Sequence, residues 1–224
     1  GEYTITATLA SGYRWSDNAT GTKTFKCTMA RKAVAEPSCT SATYNGSSQT
    51  LLAAKTSGEY TNSAITGTNA GDYSQTLTLN SNYQWSSGSN VTSNRTKTCS
   101  IGKATPTITL SATSGTVVAG KTITFTATVK SGTGTTVAGT LGASSGTTSV
   151  ATVSPASTSI TGADNSSGKA TTETVTGVAS GSSMLTISFT PTDTANYNNA
   201  VAVTYDVTVQ TYVRIYYSTN GGNV

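Results

Sequence analysis

Histidine is missing from all 224 residues. Without an imidazole there is no Ser-His-Asp relay and no Cys-His pair, and the commonest zinc ligand is gone. Charge is scarce too: 10% of residues are charged. No run of about 18 apolar residues occurs, so no segment has the length of a membrane-spanning helix. The N-terminus also lacks the basic and apolar regions of a signal peptide. The three cysteines have no C-x-x-C spacing and make a poor metal set without histidine. Nine carboxylates are spread along the chain, and nothing in their spacing assembles the facing pair that a glycosidase requires.

What remains is rich in Thr, Ser and Gly, with 35% hydrophobic residues. Many β-branched residues joined by small-residue turns fit strands and fit helices poorly. The length allows one to three domains. The net charge is +4, but its densest run, Lys23, Lys26, Arg31 and Lys32, falls on or beside an expected edge strand. Lysines there discourage sheet-to-sheet aggregation, so this run does not point to a nucleic-acid partner.

The chain repeats itself. Residues 1–16, GEYTITATLASGYRWS, align without a gap on residues 71–86, GDYSQTLTLNSNYQWS, at an offset of 70. Tyr3, Tyr13 and Trp15 fall on Tyr73, Tyr83 and Trp85. The copies diverge by two residues and rejoin at KTFKCTMARKA (23–33) and RTKTCSIGKA (95–104), which matches Cys27 with Cys99. One complete repeat is expected over 34–104, and 1–33 reads as the C-terminal half of another, so the chain is expected to start inside a repeat. Such a two-stranded piece is marginal alone and should lean on a neighbour. Tyr3, Ile5, Ala7 and Leu9 alternate with threonines, as do Phe25, Cys27 and Met29 with polar residues, giving the period of two of half-buried strands. Asn45-Gly46 and Gly71-Asp72 are turn dipeptides.

After Ala104 no Trp or Cys follows. Strands are expected at Thr107–Ala112, Thr122–Lys130 and Ser149–Val153, and near Ala170–Val178, Met184–Thr190 and Ala200–Val209. That density of short strands with Gly, Ser and Asn turns indicates a sandwich over 105–209. Residues 210–224 read as the start of a further β module. The fold class is all-β, with tandem antiparallel sandwiches.

TYNGSSQTL (43–51), TNAGDYSQTLTL (68–79), YQW (83–85) and KTCSIGKATPTITL (97–110) resemble bacterial immunoglobulin-like modules found in tandem on cell-surface proteins of Gram-positive bacteria. SGTVVAGKTITFTATV (114–129), SVATVSP (149–155) and NYNNAVAVTYDVTV (196–209) are similar to the invasin/intimin-type group. The final YVRIYYSTNGGNV is similar to the opening of internalin-type β-grasp repeats. The resemblance implies immunoglobulin-like folds, display outside the cell, a stalk or adhesin role and no catalysis.

The repeat also bears on the odd cysteine. A Cys39–Cys99 bridge would join the first and last strands of one repeat, worth about 4 kcal/mol on the chain-entropy model. Cys27, the counterpart of Cys99, would then lack its partner within the chain. A second pairing, Cys27–Cys39, leaves Cys99 free, and a third reading keeps all three as buried thiols.

Tyr83 and Trp85, like Tyr13 and Trp15, are candidates for stacking on a sugar, against the alternative of an aromatic plug closing each sandwich. Asp164 and Asp193 sit in Asn-rich turns and are candidate calcium ligands, against ordinary turn capping. No motif singles out a Lys–Asn isopeptide pair. Asn18, Asn45, Asn90, Asn94 and Asn165 are formal glycosylation acceptors that arise readily in so Ser/Thr-rich a chain. The expectation is a monomeric, extracellular stalk or spacer with no cofactor and no metal. The alternative is an adhesin module that binds a host glycan or an extracellular protein. A stalk predicts few clefts and no ligand response, whereas a binder predicts an exposed aromatic patch or a pocket.

Overall fold

The computed structural model describes residues 1–88 and 91–212, and every regular element among them is a strand. The described residues form two compact units. One comprises Gly1–Thr40, Thr50–Thr66 and Tyr73–Cys99; the other comprises Ser41–Gln49, Gly67–Asp72 and the chain from Ser100 onward. The stretch from residue 213, on which the expected further β module falls, lies outside the described residues.

The first unit opens with β1 (Glu2–Thr8) and β2 (Thr22–Thr28), an antiparallel hairpin in which Tyr3 faces Cys27 and Ile5 faces Phe25. The strands that follow in chain order are β3 (Lys32–Val34), β4 (Ala42–Thr43, which belongs to the second unit), β5 (Gln49–Leu52), β6 (Tyr60–Thr61) and β7 (Ile65–Gly67). Next come β8 (Gly71–Leu79), β9 (Tyr83–Trp85) and β10 (Arg95–Gly102). β3 runs parallel to β9, and β6 pairs with β8, setting Tyr60 opposite Leu79. β8 lies beside β10, where Ser74 Oγ is 2.7 Å from Thr98 Oγ1. Alternation decides the inside. Leu77 on β8 and Cys99 on β10 are buried while their neighbours face out, and Tyr60, Leu77 and Trp85 make a small core with Val34, Leu52 and Leu79 against it.

The second unit contains a full sandwich. Its strands are β11 (Thr107–Leu110), β12 (Ser114–Val118), β13 (Thr122–Lys130), β14 (Val137–Ser145) and β15 (Ala151–Ser154). They continue with β16 (Ser157–Ala163), β17 (Lys169–Gly177), β18 (Gly181–Pro191) and β19 (Val203–Gln210). One sheet has the order β11-β13-β17-β15 and the other β12-β19-β18-β14-β16. Written by position, the first is A-B-E-D and the second contains G-F-C, the strand order of an immunoglobulin sandwich. One departure is that β15 precedes β16, so the strand beside E comes before the strand beside C. β12 adds a parallel partner to β19.

Period-two patterning builds the core. Phe125, Ala127 and Val129 of β13 meet Leu185, Ile187 and Phe189 of β18 and Tyr205, Val207 and Val209 of β19 in one buried cluster. Phe125 stacks on Tyr205 with ring centroids 4.2 Å apart. Each Val, Leu, Ile or Phe among them contributes about 1.5–3 kcal/mol on burial. A bulge between Val137 and Gly139 bends β14, and a Cβ at Gly139 would collide with the Thr190 carbonyl, so glycine is required there.

Among the buried polar residues of this unit, one is a carboxylic acid. Glu173 on β17, opposite Phe125, is 1% exposed, and its Oε2 has no hydrogen-bond partner. Burial pushes its carboxyl pKa up. A raised acid pKa leaves stability intact below the unfolded value of about 4.3 and removes it as pH climbs toward the folded one. Glu173→Gln should therefore raise the urea midpoint at pH 7 and leave it nearly unchanged at pH 4. Paired urea melts at the two pH values check this.

Candidate functional site

The aromatic loops were the first candidates, and each is built from backbone hydrogen bonds that recur in both copies. Tyr13 N donates to Ala10 O at 3.2 Å, as Tyr83 N does to Asn80 O at 3.0 Å. Trp15 N donates to Ala19 O and Trp85 N to Val91 O. The indole closes each loop, Trp15 Nε1 donating to Gly21 O at 3.1 Å and Trp85 Nε1 to Ser93 O at 2.9 Å. Trp85 is 1% exposed and packs against Tyr60, ring centroids 5.5 Å apart, with the Arg95 guanidinium over it. An indole so covered has no open face for a sugar ring. Tyr83 is half-buried beside it, so the pair offers no stacking platform in this arrangement. In the first copy Trp15 is half-buried against Phe25, while Tyr13 is open to solvent.

Cys39 and Cys99 form a disulfide, with Cα atoms 5.6 Å apart and a sequence separation of 60. Cys27 is an exposed free thiol. The basic run is largely engaged locally: Lys23 pairs with Asp17, Lys26 with Glu2 at 2.8 Å, and Arg31 reaches the Tyr83 carbonyl.

Both candidate calcium ligands spend their oxygens on their own turns. Asp164 Oδ1 accepts from the amides of Ser166, Ser167 and Gly168, and these bonds, the Gly168 amide foremost, hold its carboxyl well below the usual range. Asp193 accepts from the Asn196 amide at 3.1 Å and from Asn196 Nδ2 at 2.8 Å. Among the described residues no three His, Cys, Asp or Glu side chains gather where a metal could sit.

Asn196 is the buried polar side chain that reaches furthest along the sequence in the second unit, to residues 126 and 127 positions away. Buried at 8% exposure, its Oδ1 accepts from the Ala70 amide at 2.8 Å, and its Nδ2 reaches Asn69 Oδ1 as well as Asp193. Its backbone carbonyl accepts from Ala104 N at 3.0 Å, and Asn198 N returns a bond to Ala104 O at 2.8 Å. Lys103 Nζ donates to Thr194 O at 2.7 Å. Beside this cluster Tyr44 meets Tyr197 edge to face, centroids 5.3 Å apart. The two rings, with Thr136, Ala138 and Asp193, line a shallow depression of about 410 Å³. Three chain segments, around residues 70, 104 and 196, are thus tied at one residue, the first through the Asn196 side chain and the second through its backbone. In the sequence nothing marks Asn196, because an Asn in an NYNN run looks like any turn residue.

No family model matches the chain, and no curated protein matches it. Among solved structures it is similar to domains 4 and 5 of the S-layer protein SbsC, at 24% identity over 65% of this chain and 61% of that one, TM-score 0.35. Domains 5-6 of SbsC match at 29% identity over 46% of this chain and 43% of theirs, TM-score 0.33. PapD-like domain 7 of human CEP192 matches at 11% identity over 48% of this chain and 87% of that one, TM-score 0.34. The chain spans 61% of the length of the SbsC two-domain piece and 19% of a longer one. At these scores the class of the chain, an all-β protein with an immunoglobulin-type sandwich, rests on its own strand order.

Two substitutions test the geometry. Asn196→Ala leaves the Ala70 amide without its acceptor and should cost about 1–3 kcal/mol, with faster hydrogen exchange at Ala70 as the local readout. Trp85→Ala should cost about 3–5 kcal/mol in a denaturant melt, as expected of a core residue.

Proposed function

We propose that this chain is a non-catalytic spacer of a bacterial surface protein, acting outside the cell, with serial immunoglobulin-like modules over 34–104 and 105–209 holding a distal domain away from the surface. The observation that carries the reading is the Asn196 tie. A spacer must transmit position along the chain. Three segments held by buried polar bonds resist bending in a way that a free Gly/Ser linker does not.

The disulfide supports the same reading. Such bonds persist in oxidising compartments, and one that joins the ends of a repeat limits how far that repeat can be drawn out. Exposed Tyr13, at 69%, favours a second reading as a module that binds a host glycan or an extracellular protein.

Pulled from its two ends as a single molecule, the oxidised chain should keep the stretch between Cys39 and Cys99 out of the extension. Reductant should then release a separation of 60 residues, about 200 Å at roughly 3.5 Å per residue. An extension that reductant does not change would reject the clamped spacer. A glycan array positive with the full chain and negative with Tyr13→Ala would favour the binding module instead.

A further inference from the structure

The depression in the second unit brings two tyrosine rings and one carboxylate together. Tyr44 and Tyr197 meet at 79°, with ring centroids 5.3 Å apart, so they stand as two walls of a corner. Among the lining residues Asp193 alone carries a charge. The volume of about 410 Å³ falls within the range of small-ligand sites, about 300–1,000 Å³.

The corner is fixed by the protein's own hydrogen bonds. Thr192 N donates to Ala138 O at 2.9 Å, and Tyr197 Oη donates to Thr136 O at 3.3 Å. Burial above all, then the neighbouring Tyr44 and Asp193 groups, hold the Tyr197 hydroxyl above its ordinary pKa, so this wall stays neutral. The Asp193 carboxylate is oriented but not neutralised. The Asn196 amide and Nδ2 each take one position on it, whereas a carboxylate offers about four, and Asn196 brings no charge. Among the described residues no Lys or Arg forms an ion pair with Asp193. The Lys103 ammonium is engaged one residue further on, at the Thr194 carbonyl.

We propose that this corner binds an alkylammonium group, as carried by a lysine side chain or a free amine, with the cation held between the Tyr44 ring and the Asp193 carboxylate. An aromatic wall attracts a cation through its quadrupole, and the apolar stem lies along the rings and Ala138 while the charged end keeps its contact with Asp193. A neutral sugar would gain nothing from the charge, and an anion would be repelled by it. A bare calcium ion needs six or more oxygen ligands, and the described residues gather no carboxylate cluster here. The site is distinct from the aromatic loops, and the inference does not rest on the spacer reading.

The probes are N-acetyl-lysine methylamide and butylammonium chloride, titrated into the full chain while NMR follows the ring signals of Tyr44 and Tyr197. Saturable shifts of both rings are expected with each probe. Tighter binding of the lysine amide assigns the natural source to a polypeptide, and otherwise to free amines. The same lysine amide acetylated at its side-chain nitrogen should move neither ring, because the stem is kept and the charge removed. Tyr44→Leu and Asp193→Asn, read at Tyr197, should each weaken binding about fivefold, the worth of one exposed cation–π contact or ion pair. Tyr44→Leu leaves the Asn196 tie in place, so it decides the matter if Asp193→Asn disturbs the turn. Equal shifts with the side-chain-acetylated compound, or with potassium chloride at the same concentration, overturn the proposal. Unchanged affinity in Tyr44→Leu overturns it as well.

Discussion

A strand pair with one apolar face needs a second layer, because two strands alone bury too little surface to offset the entropy of ordering them. Most of this molecule can be read as an answer to that demand. In the sandwich over β11 to β19 each sheet is the second layer of the other, and Phe125 on Tyr205 is where the two faces meet. In the first unit, Tyr60, Trp85 and the neighbouring apolar residues cover Leu77, and the Cys39–Cys99 bridge fixes the arrangement covalently. The β1–β2 hairpin repeats the register and the aromatic loop, with Tyr3, Ile5, Phe25 and Met29 exposed. Local backbone hydrogen bonds are thus enough to define the strand pair and the loop. Burial depends on what is laid across them.

Polar groups inside the protein fall into two kinds. Asn196 is satisfied on every side and joins three segments, so removing it would leave buried partners unmatched. Glu173 has a carboxylate oxygen with no partner in an apolar core and opposes stability when ionised. The turn carboxylates, Asp164 and Asp193, are of the satisfied kind and serve the loops that carry them.

The sequence was most legible where apolar and polar residues alternate over many positions. β13 matches its expected span, Thr122–Lys130, and the strands near Lys169, Gly181 and Val203 shift by only a few residues. Within the sandwich over β11 to β19, three strands escaped. β14, VAGTLGASS, offers only small residues around Leu141; β16, STSITGA, has a single large apolar residue, Ile160; and β12 is short, with a glycine, and gains its order from parallel pairing with β19. Their strand character comes from neighbours rather than from their own side chains. Of the site residues, the Cys39–Cys99 pairing was legible from the repeat, whereas the Asn196 tie was not, since its partners lie 126 residues away at Ala70 and in the backbone of Ala104.

By itself, the sequence determined the all-β class and the two matching copies, because period-two patterning and self-similarity are properties of the chain alone; among the three cysteine readings it left open, the structure shows Cys39–Cys99. It also removed every chemistry that needs an imidazole. Only the tertiary structure decided that the Trp85 indole is core rather than surface, and that Asn196 is a joint rather than a turn residue. Those outcomes depend on which distant segment is packed against a given face, and neither composition nor local spacing encodes that.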